Sequence, residues 1–403
     1  MTESPINSLG ELLVVRAMKV ILRLVAGWLL SIVALQAVAQ DMETTTFWKR
    51  LEEKGLYERL WEASRLYEDE ENPVIQAFSI IGRYNGQYWS VNADQGSAGG
   101  WENRRFFLGA EATLFHDVTV QAQIKTTEDF DPFYDGLFQA FVKWAPVEEF
   151  FLVAGRMDFQ FAGLERGISS TKLATFERGL LANQLFPGEI VGTGAKVQAG
   201  DYSFRGGVFS GSIDQEFTSF EGGSGAVAGI AYKLPLFYAE GSLHLDYVYN
   251  NGNPSNNALK PYDHVISLWH QGQAGPFSLG VDLTGGHGLD ARPAVFGVTA
   301  LSTYVFARDV IHRGDALQAA LRYQFAVSDG DAGLQLQSRY EQEVVADGFG
   351  NRYHAVYAGI NYLIFGDRLK LMTGAEYSDM HDSSHNGGAF NGLTYLAGVR
   401  VYF

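Results

Sequence analysis

Several groups of residues have types and spacings that suit chemistry. Asp379, His381, Asp382 and His385 form a metal-like cluster of two imidazoles and two carboxylates, with an ordinary outer loop rich in Asp, Asn and His as the alternative. Glu128, Asp129, Asp131 and Asp135 offer carboxylate oxygens of the kind that hold Ca2+, with a solvated acidic loop as the alternative. Gly96-Ser97-Ala98-Gly99-Gly100 resembles a phosphate cradle in composition, but no helix follows it, so it reads as loop. No Gly-x-Ser-x-Gly turn marks a nucleophile. With 0 cysteines, thiolate zinc sites, disulfides and Cys nucleophiles are excluded. The expectation is a chain that is not an enzyme and carries no cofactor or metal centre, Ca2+ in the outer loops being the one ion weighed.

The remaining charged chemistry lies in arginines and lysines spread along the chain, and its meaning depends on the elements that carry them. Net charge is −16, from 30 basic and 46 acidic residues, which argues against wholesale coating of nucleic acid. Gly is 46 of 403 residues, aromatics reach 14%, Pro is only 10, and mean hydropathy is −0.07. Those values suit many strands and turns and disfavour a polytopic helical membrane protein.

Lys19 and Arg23 precede an apolar run from Leu24 to Leu35, and Ala37-Val38-Ala39 follows. Charge, a short apolar run and small residues at a cleavage site read as a secretory signal peptide over 1–39. Met18 is the better start, which would make 1–17 a misassigned extension. Phe47, Trp48, Leu51, Leu56, Leu60, Trp61 and Tyr67 recur at helical spacing, so 40–73 is expected to be a short periplasmic helical segment, broken at Gly55 and ended by Asp69-Glu70-Glu71-Asn72-Pro73.

From Val74 to Phe403 the period is two. Leu317, Ala319, Leu321, Tyr323, Phe325 and Val327, for example, alternate with Gln318, Arg322, Gln324 and Ser328. Segments of about 10 residues match tilted membrane strands better than soluble ones. Strands are expected near 74–91, 103–115, 118–127, 136–145, 150–159, 190–199, 202–211, 226–234, 236–249, 263–273, 276–285, 294–307, 316–328, 352–364, 368–378 and 392–403. Short turns such as His116-Asp117 and Gly200-Asp201 alternate with long polar connections at 92–102, 128–135, 160–189, 212–225, 250–262, 286–293, 329–351 and 379–391. This segregation of loop length is the layout of an outer-membrane barrel. The fold class expected is therefore all-β: a 16-stranded antiparallel transmembrane β-barrel with a short N-terminal periplasmic helix. Leu393, Tyr395, Ala397, Val399, Val401 and Phe403 share one face of the last strand, which ends in the aromatic residue typical of such barrels. Within 333–345 the alternation also permits a hairpin strand. Tyr88, Trp89, Trp144, Tyr249 and Tyr402 suit interfacial girdles, with sugar-stacking platforms as the alternative.

A barrel of this size encloses water. Assigning each strand's polar face to the lumen puts Arg83, Arg105, Lys125, Lys143, Arg156, Lys196, Arg205, Lys233, Arg322, Lys370 and Arg400 inside, against Glu111, Asp158, Glu240, Asp246, Asp282 and Glu376. Such cations either guide anions or pair with nearby carboxylates. The first reading predicts a diffusion channel with mild anion preference; a sugar-passing porin and a loop-based enzyme or adhesin are the alternatives. The 160–189 connection is the longest. It is expected to fold inward and narrow the pore, with Arg166, Lys172 and Arg178 at the constriction or in salt bridges with Glu165 and Glu177.

Arg104-Arg105-Phe106-Phe107-Leu108-Gly109, Ala154-Gly155-Arg156, Glu177-Arg178, Ala320-Leu321-Arg322-Tyr323, Ala358-Gly359-Ile360-Asn361-Tyr362 and Arg400-Val401-Tyr402-Phe403 resemble the phosphate-selective porin O/P family of Gram-negative outer membranes. The resemblance spans roughly 74–403. It implies a homotrimer in outer-membrane lipid, passing phosphate or polyphosphate guided by arginines and a lysine cluster. Met157-Asp158-Phe159-Gln160-Phe161 departs from the family's Lys/Pro-Phe pattern at this place.

Overall fold

The structure, a computed structural model, describes residues 55–403 apart from 219, 237, 337, 338, 346 and 347. The signal-peptide segment and Phe47, Trp48 and Leu51 lie outside the described residues. The chain divides into two units, Met1–Arg65 and Leu66–Phe403. In the first, helix α1 (Leu56–Glu62) starts after Gly55, whose N–H donates to the Glu58 carboxylate at 3.1 Å. Tyr67, expected in this helix from its spacing, lies in the short strand β1 (Arg65–Glu68). The helix has already ended at Ala63, and the Ser64 hydroxyl donates to the carbonyl of Trp61 at 2.6 Å.

Sixteen longer strands follow: β2 (Ile75–Ala93), β3 (Gly96–Leu114), β4 (Val118–Lys125), β5 (Gly136–Val147), β6 (Phe150–Asp158), β7 (Glu189–Ala199), β8 (Tyr202–Ser210), β9 (Ser224–Lys233), β10 (Glu240–Asn250), β11 (Tyr262–Ala274), β12 (Phe277–Gly288), β13 (Val295–Arg308), β14 (Ala316–Ser328), β15 (Arg352–Asp367), β16 (Leu369–His381) and β17 (Phe390–Tyr402). Each pairs antiparallel with the next, and β17 returns to β2 from Gly392 opposite Ala93 to Tyr402 opposite Arg83. The sheet is thus a closed 16-stranded barrel, as the period of two predicted, and closure leaves no unpaired edge.

Burial is inverted relative to a soluble protein. On β14, Leu321 is 51% and Tyr323 42% exposed, whereas the intervening Arg322 is 1% exposed. Val142, Leu152, Val208, Ile266, Leu283, Phe296 and Ile360 also face outward and are exposed. An apolar outer surface and a polar inner one are stable only with lipid outside. Among the described residues no helix is long and apolar enough to cross a membrane. Tyr88, Trp144 and Tyr249 stand on the outer surface. Trp89 instead packs on Tyr340 with ring centroids 5.3 Å apart, and Tyr402 lines a cavity. The reason is alternation: Trp89 follows Tyr88, and successive side chains of a strand take opposite faces.

Two connections differ from expectation. The first outer one is a tight turn at Asp94-Gln95, because β2 and β3 stay paired to Ala93 opposite Gly96. Gly96–Gly100 is therefore strand, not loop. Each of these strands has 19 residues, roughly twice what crosses a bilayer. Among the described residues of 333–345 no hairpin strand forms. Leu334 makes one bridge to Gly350, and Glu341–Glu343 is a single 3-10 turn.

Candidate channel lumen

The 159–188 connection lies inside the barrel. Phe159, Phe161, Leu164, Leu173, Phe176, Leu180, Leu181, Leu185 and Phe186 are all buried there, together with helices α2 (Leu164–Gly167) and α3 (Leu180–Leu185). Buried loop backbone needs partners, and the inner wall supplies them. Asp246 on β10 accepts from the N–H of Gly163 at 2.9 Å, and Gln324 on β14 accepts from that of Leu180 at 2.7 Å. Asn361 on β15 donates to the carbonyl of Ala174 at 2.9 Å, and Lys370 on β16 to that of Leu173 at 2.9 Å. Arg400 on β17 donates to the carbonyl of Phe176. Arg322 is the hub: it donates to Glu165 at 2.7 Å, to Glu376 at 2.7 Å and to the carbonyl of Glu177 at 2.7 Å. The loop therefore covers the wall formed by β10 and β14–β17.

The candidate lumen cations separate accordingly. Arg322, Lys370 and Arg400 are at most 2% exposed and hold the loop. Arg156 is also buried, donating to the carbonyls of Asp214 and Glu216 and to Glu189. Gly155 before it has φ +131°, and a Cβ there would lie 2.3 Å from the carbonyl of Ala140, so this position accepts glycine alone. Lys233 is exposed beside Asp201 at 3.6 Å, on the short turns. Lys172 is exposed. The others line two cavities on the uncovered side.

The outer cavity, about 550 Å3, is lined by Arg105, Lys125, Arg166 and Arg178 from the sequence set, and also by Arg104, Lys260 and Arg339. Its carboxylates are Glu128, Asp135, Asp158, Glu177 and Glu189. Arg104 grips Glu177 through two bonds of 2.6 and 3.1 Å, while Arg105 stands 3.7 Å from the same carboxylate. Both arginines turn inward because the register shifts there: Asn85 faces Arg105 and Gly86 faces Asn103, leaving Arg104 as the extra residue of a bulge. Strict alternation foresees only Arg105; the adjacent pair of arginines was the available signal. Burial would raise Glu177, but Arg104 and Arg105 outweigh it and hold its carboxyl well below the usual range. Burial and the neighbouring Arg166 lower Arg178 to about 10. Lys260 is lowered by burial and by Arg166 and Arg292.

The inner cavity, about 610 Å3, is lined by Arg83, Lys143, Lys196 and Arg205. Arg205 is held by Asp246 through two bonds of 2.7 Å. Asp158, bonded to Arg166 at 2.6 Å, borders both cavities. Between them Arg83 donates to Ser170 at 2.6 Å and lies over Phe107 and Phe138, whose rings stack 4.1 Å apart. One guanidinium, two phenyl rings and one carboxylate thus stand where the two cavities, an outer and an inner vestibule, adjoin.

A second connection, 329–351, also turns inward, which loop length alone did not reveal. Tyr340 donates to Glu102 at 2.5 Å, Arg339 bridges Glu102 and Glu128, and Leu334, Leu336 and Val345 are buried. Among the described residues no three His, Asp or Glu side chains are placed to hold a metal. Asp382 instead accepts from Ser384, Gly387 and Gly388 within its own loop.

Residues 80–261 match the family model of phosphate-selective porin O and P. The barrel is a porin of the outer membrane. Of the motifs that carried the resemblance, the first three lie within the matched stretch and the last three beyond it. Solved structures share the fold at low identity. OmpF of Salmonella typhi, in complex with daunomycin, is 13% identical at a TM-score of 0.54, over 84% of this chain and 100% of that one. OprB of Pseudomonas putida, at high pH, is 12% identical at 0.53, over 81% and 94%. The outer-membrane channel DcaP of Acinetobacter baumannii is 12% identical at 0.50, over 84% and 100%. No curated protein matches the sequence.

Proposed function

We propose that this porin is a non-catalytic diffusion channel for small anions, phosphate among them, assembled as a homotrimer in outer-membrane lipid. One observation carries the reading. In a chain of net charge −16, the outer vestibule gathers Arg104, Arg105, Lys125, Arg166, Arg178, Lys260 and Arg339 against five carboxylates. Arg105 lines this vestibule 3.7 Å from Glu177 and carries a terminal nitrogen without a hydrogen-bond partner. A low-dielectric wall focuses this charge on the path. Phosphate is supported by the family's name alone. Reversal potential in a KCl gradient across a planar bilayer tests the proposal: anions should carry most of the current, and cation preference would refute it. Phosphate reducing the chloride current would support the finer statement, and cross-linking of the purified protein tests the trimer.

A further inference from the structure

We infer that the inner vestibule is a binding site for organic anions with an apolar body, an arylalkyl carboxylate being the type. The inference rests on the anion-channel reading and names a solute class for one stretch of its path. Its cavity of about 610 Å3 falls in the range that encloses a small organic molecule.

The charge left over there is positive, Arg83, Lys143 and Lys196 standing against Glu111. Asp246 neutralises Arg205, and Arg166 neutralises Asp158. Lys143 and Lys196 have no carboxylate partner among the described residues. The Lys143 ammonium stands 4.8 Å from the ring centroid of Phe151, and Phe151 is the register partner of Lys196 across the β6–β7 pair, so the ring has a lysine on each neighbouring strand. Beside it the wall carries Phe141, Val153 and Met157. Aqueous barrels usually place polar side chains on that face. A hydrated inorganic ion gains nothing from phenyl rings, whereas an aryl group leaves water to pack on them. On the neighbouring strands Gln121 donates to Gln139 at 2.8 Å, extending a row of amides that suits carboxylate oxygens. Apolar wall, paired cations and amides within one cavity match a carboxylate bearing a ring, and exceed what chloride or phosphate requires.

The test uses the full chain in planar bilayers, reading the chloride current with phenylacetate, acetate, phenylacetamide or inorganic phosphate added. Phenylacetate should half-block at a concentration about tenfold below acetate or phosphate, from the ring area it buries, and neutral phenylacetamide should not block. Phe151→Gln should erase the tenfold advantage, and Lys143→Gln with Lys196→Gln should weaken block by both carboxylates. Equal block by phenylacetate and acetate in the unmodified protein would overturn the inference without recourse to any variant. The two readings fail separately. A cation-selective reversal potential removes the anion channel, whereas an anion-selective pore that both acids block alike removes only the organic-anion site.

Discussion

Replacing Arg322 with methionine should loosen the inward loop. Its guanidinium is 1% exposed and makes three bonds of 2.7 Å, to Glu165, to Glu376 and to the carbonyl of Glu177. Glu165 is 2% and Glu376 10% exposed at their side chains, so the substitution strands two carboxylates. Breaking a buried pair in this way costs about 3–5 kcal/mol. At 1.4 kcal/mol per decade the docked-to-released ratio of the loop falls by roughly two to three and a half decades. Because the barrel wall is held by its own ladders, the loss should appear in the loop first. Single-channel recordings should show larger, noisier conductance, and protease should cut within 159–188 while the barrel stays folded on an unheated gel. Adding Glu165→Gln and Glu376→Gln should restore much of the docking, since no buried charge is then left alone. Unchanged conductance and protease resistance in the single variant would refute the hub assignment.

Three further outcomes follow from the geometry. Arg105→Gln, which removes a guanidinium lining the outer vestibule, should cut the chloride-over-potassium permeability ratio about twofold by screened Coulomb attraction; an unchanged reversal potential would contradict the proposed path. Glu341 is pushed up to about 7, first by burial, then by Glu376 and, less, by Glu177, against Thr394 and its own backbone. An acid raised in the docked state holds its proton while the released state loses it between pH 4.5 and 7, so docking of the 329–351 loop weakens across that window, by about 3 kcal/mol at 1.36 kcal/mol per unit. Limited proteolysis should therefore release this loop faster at pH 8 than at pH 4.5, and Glu341→Gln should flatten the difference. Gly155→Val, with φ at +131° and no room beside Ala140, should lower the temperature at which the barrel unfolds on gels, while Gly200→Asn, at φ +60° in open space, should not.

Alternation along β2–β17 is a local property: each residue's face follows from its neighbours one and two positions away. That is why the sequence placed most of the strand ladder within a few residues and separated lipid-facing Leu321 and Tyr323 from Arg322. Local rules break at two places in this chain. The bulge at Arg104 adds a second inward arginine, and the long β2–β3 hairpin continues through glycines that look like loop.

The state of each lumen charge is a different matter. Arg322 and Arg105 look alike in sequence, both on the polar face of a strand. One meets Glu165, 157 positions away, beneath a buried loop; the other lines the outer vestibule, 3.7 Å from a Glu177 that Arg104 already grips. A barrel with greasy outer and charged inner faces is legible in the amino acids, because period two is written residue by residue. Which charges are neutralised and which line the cavities emerges on folding, because neutralisation depends on partners that the closed wall and the inward loops bring together from distant parts of the chain.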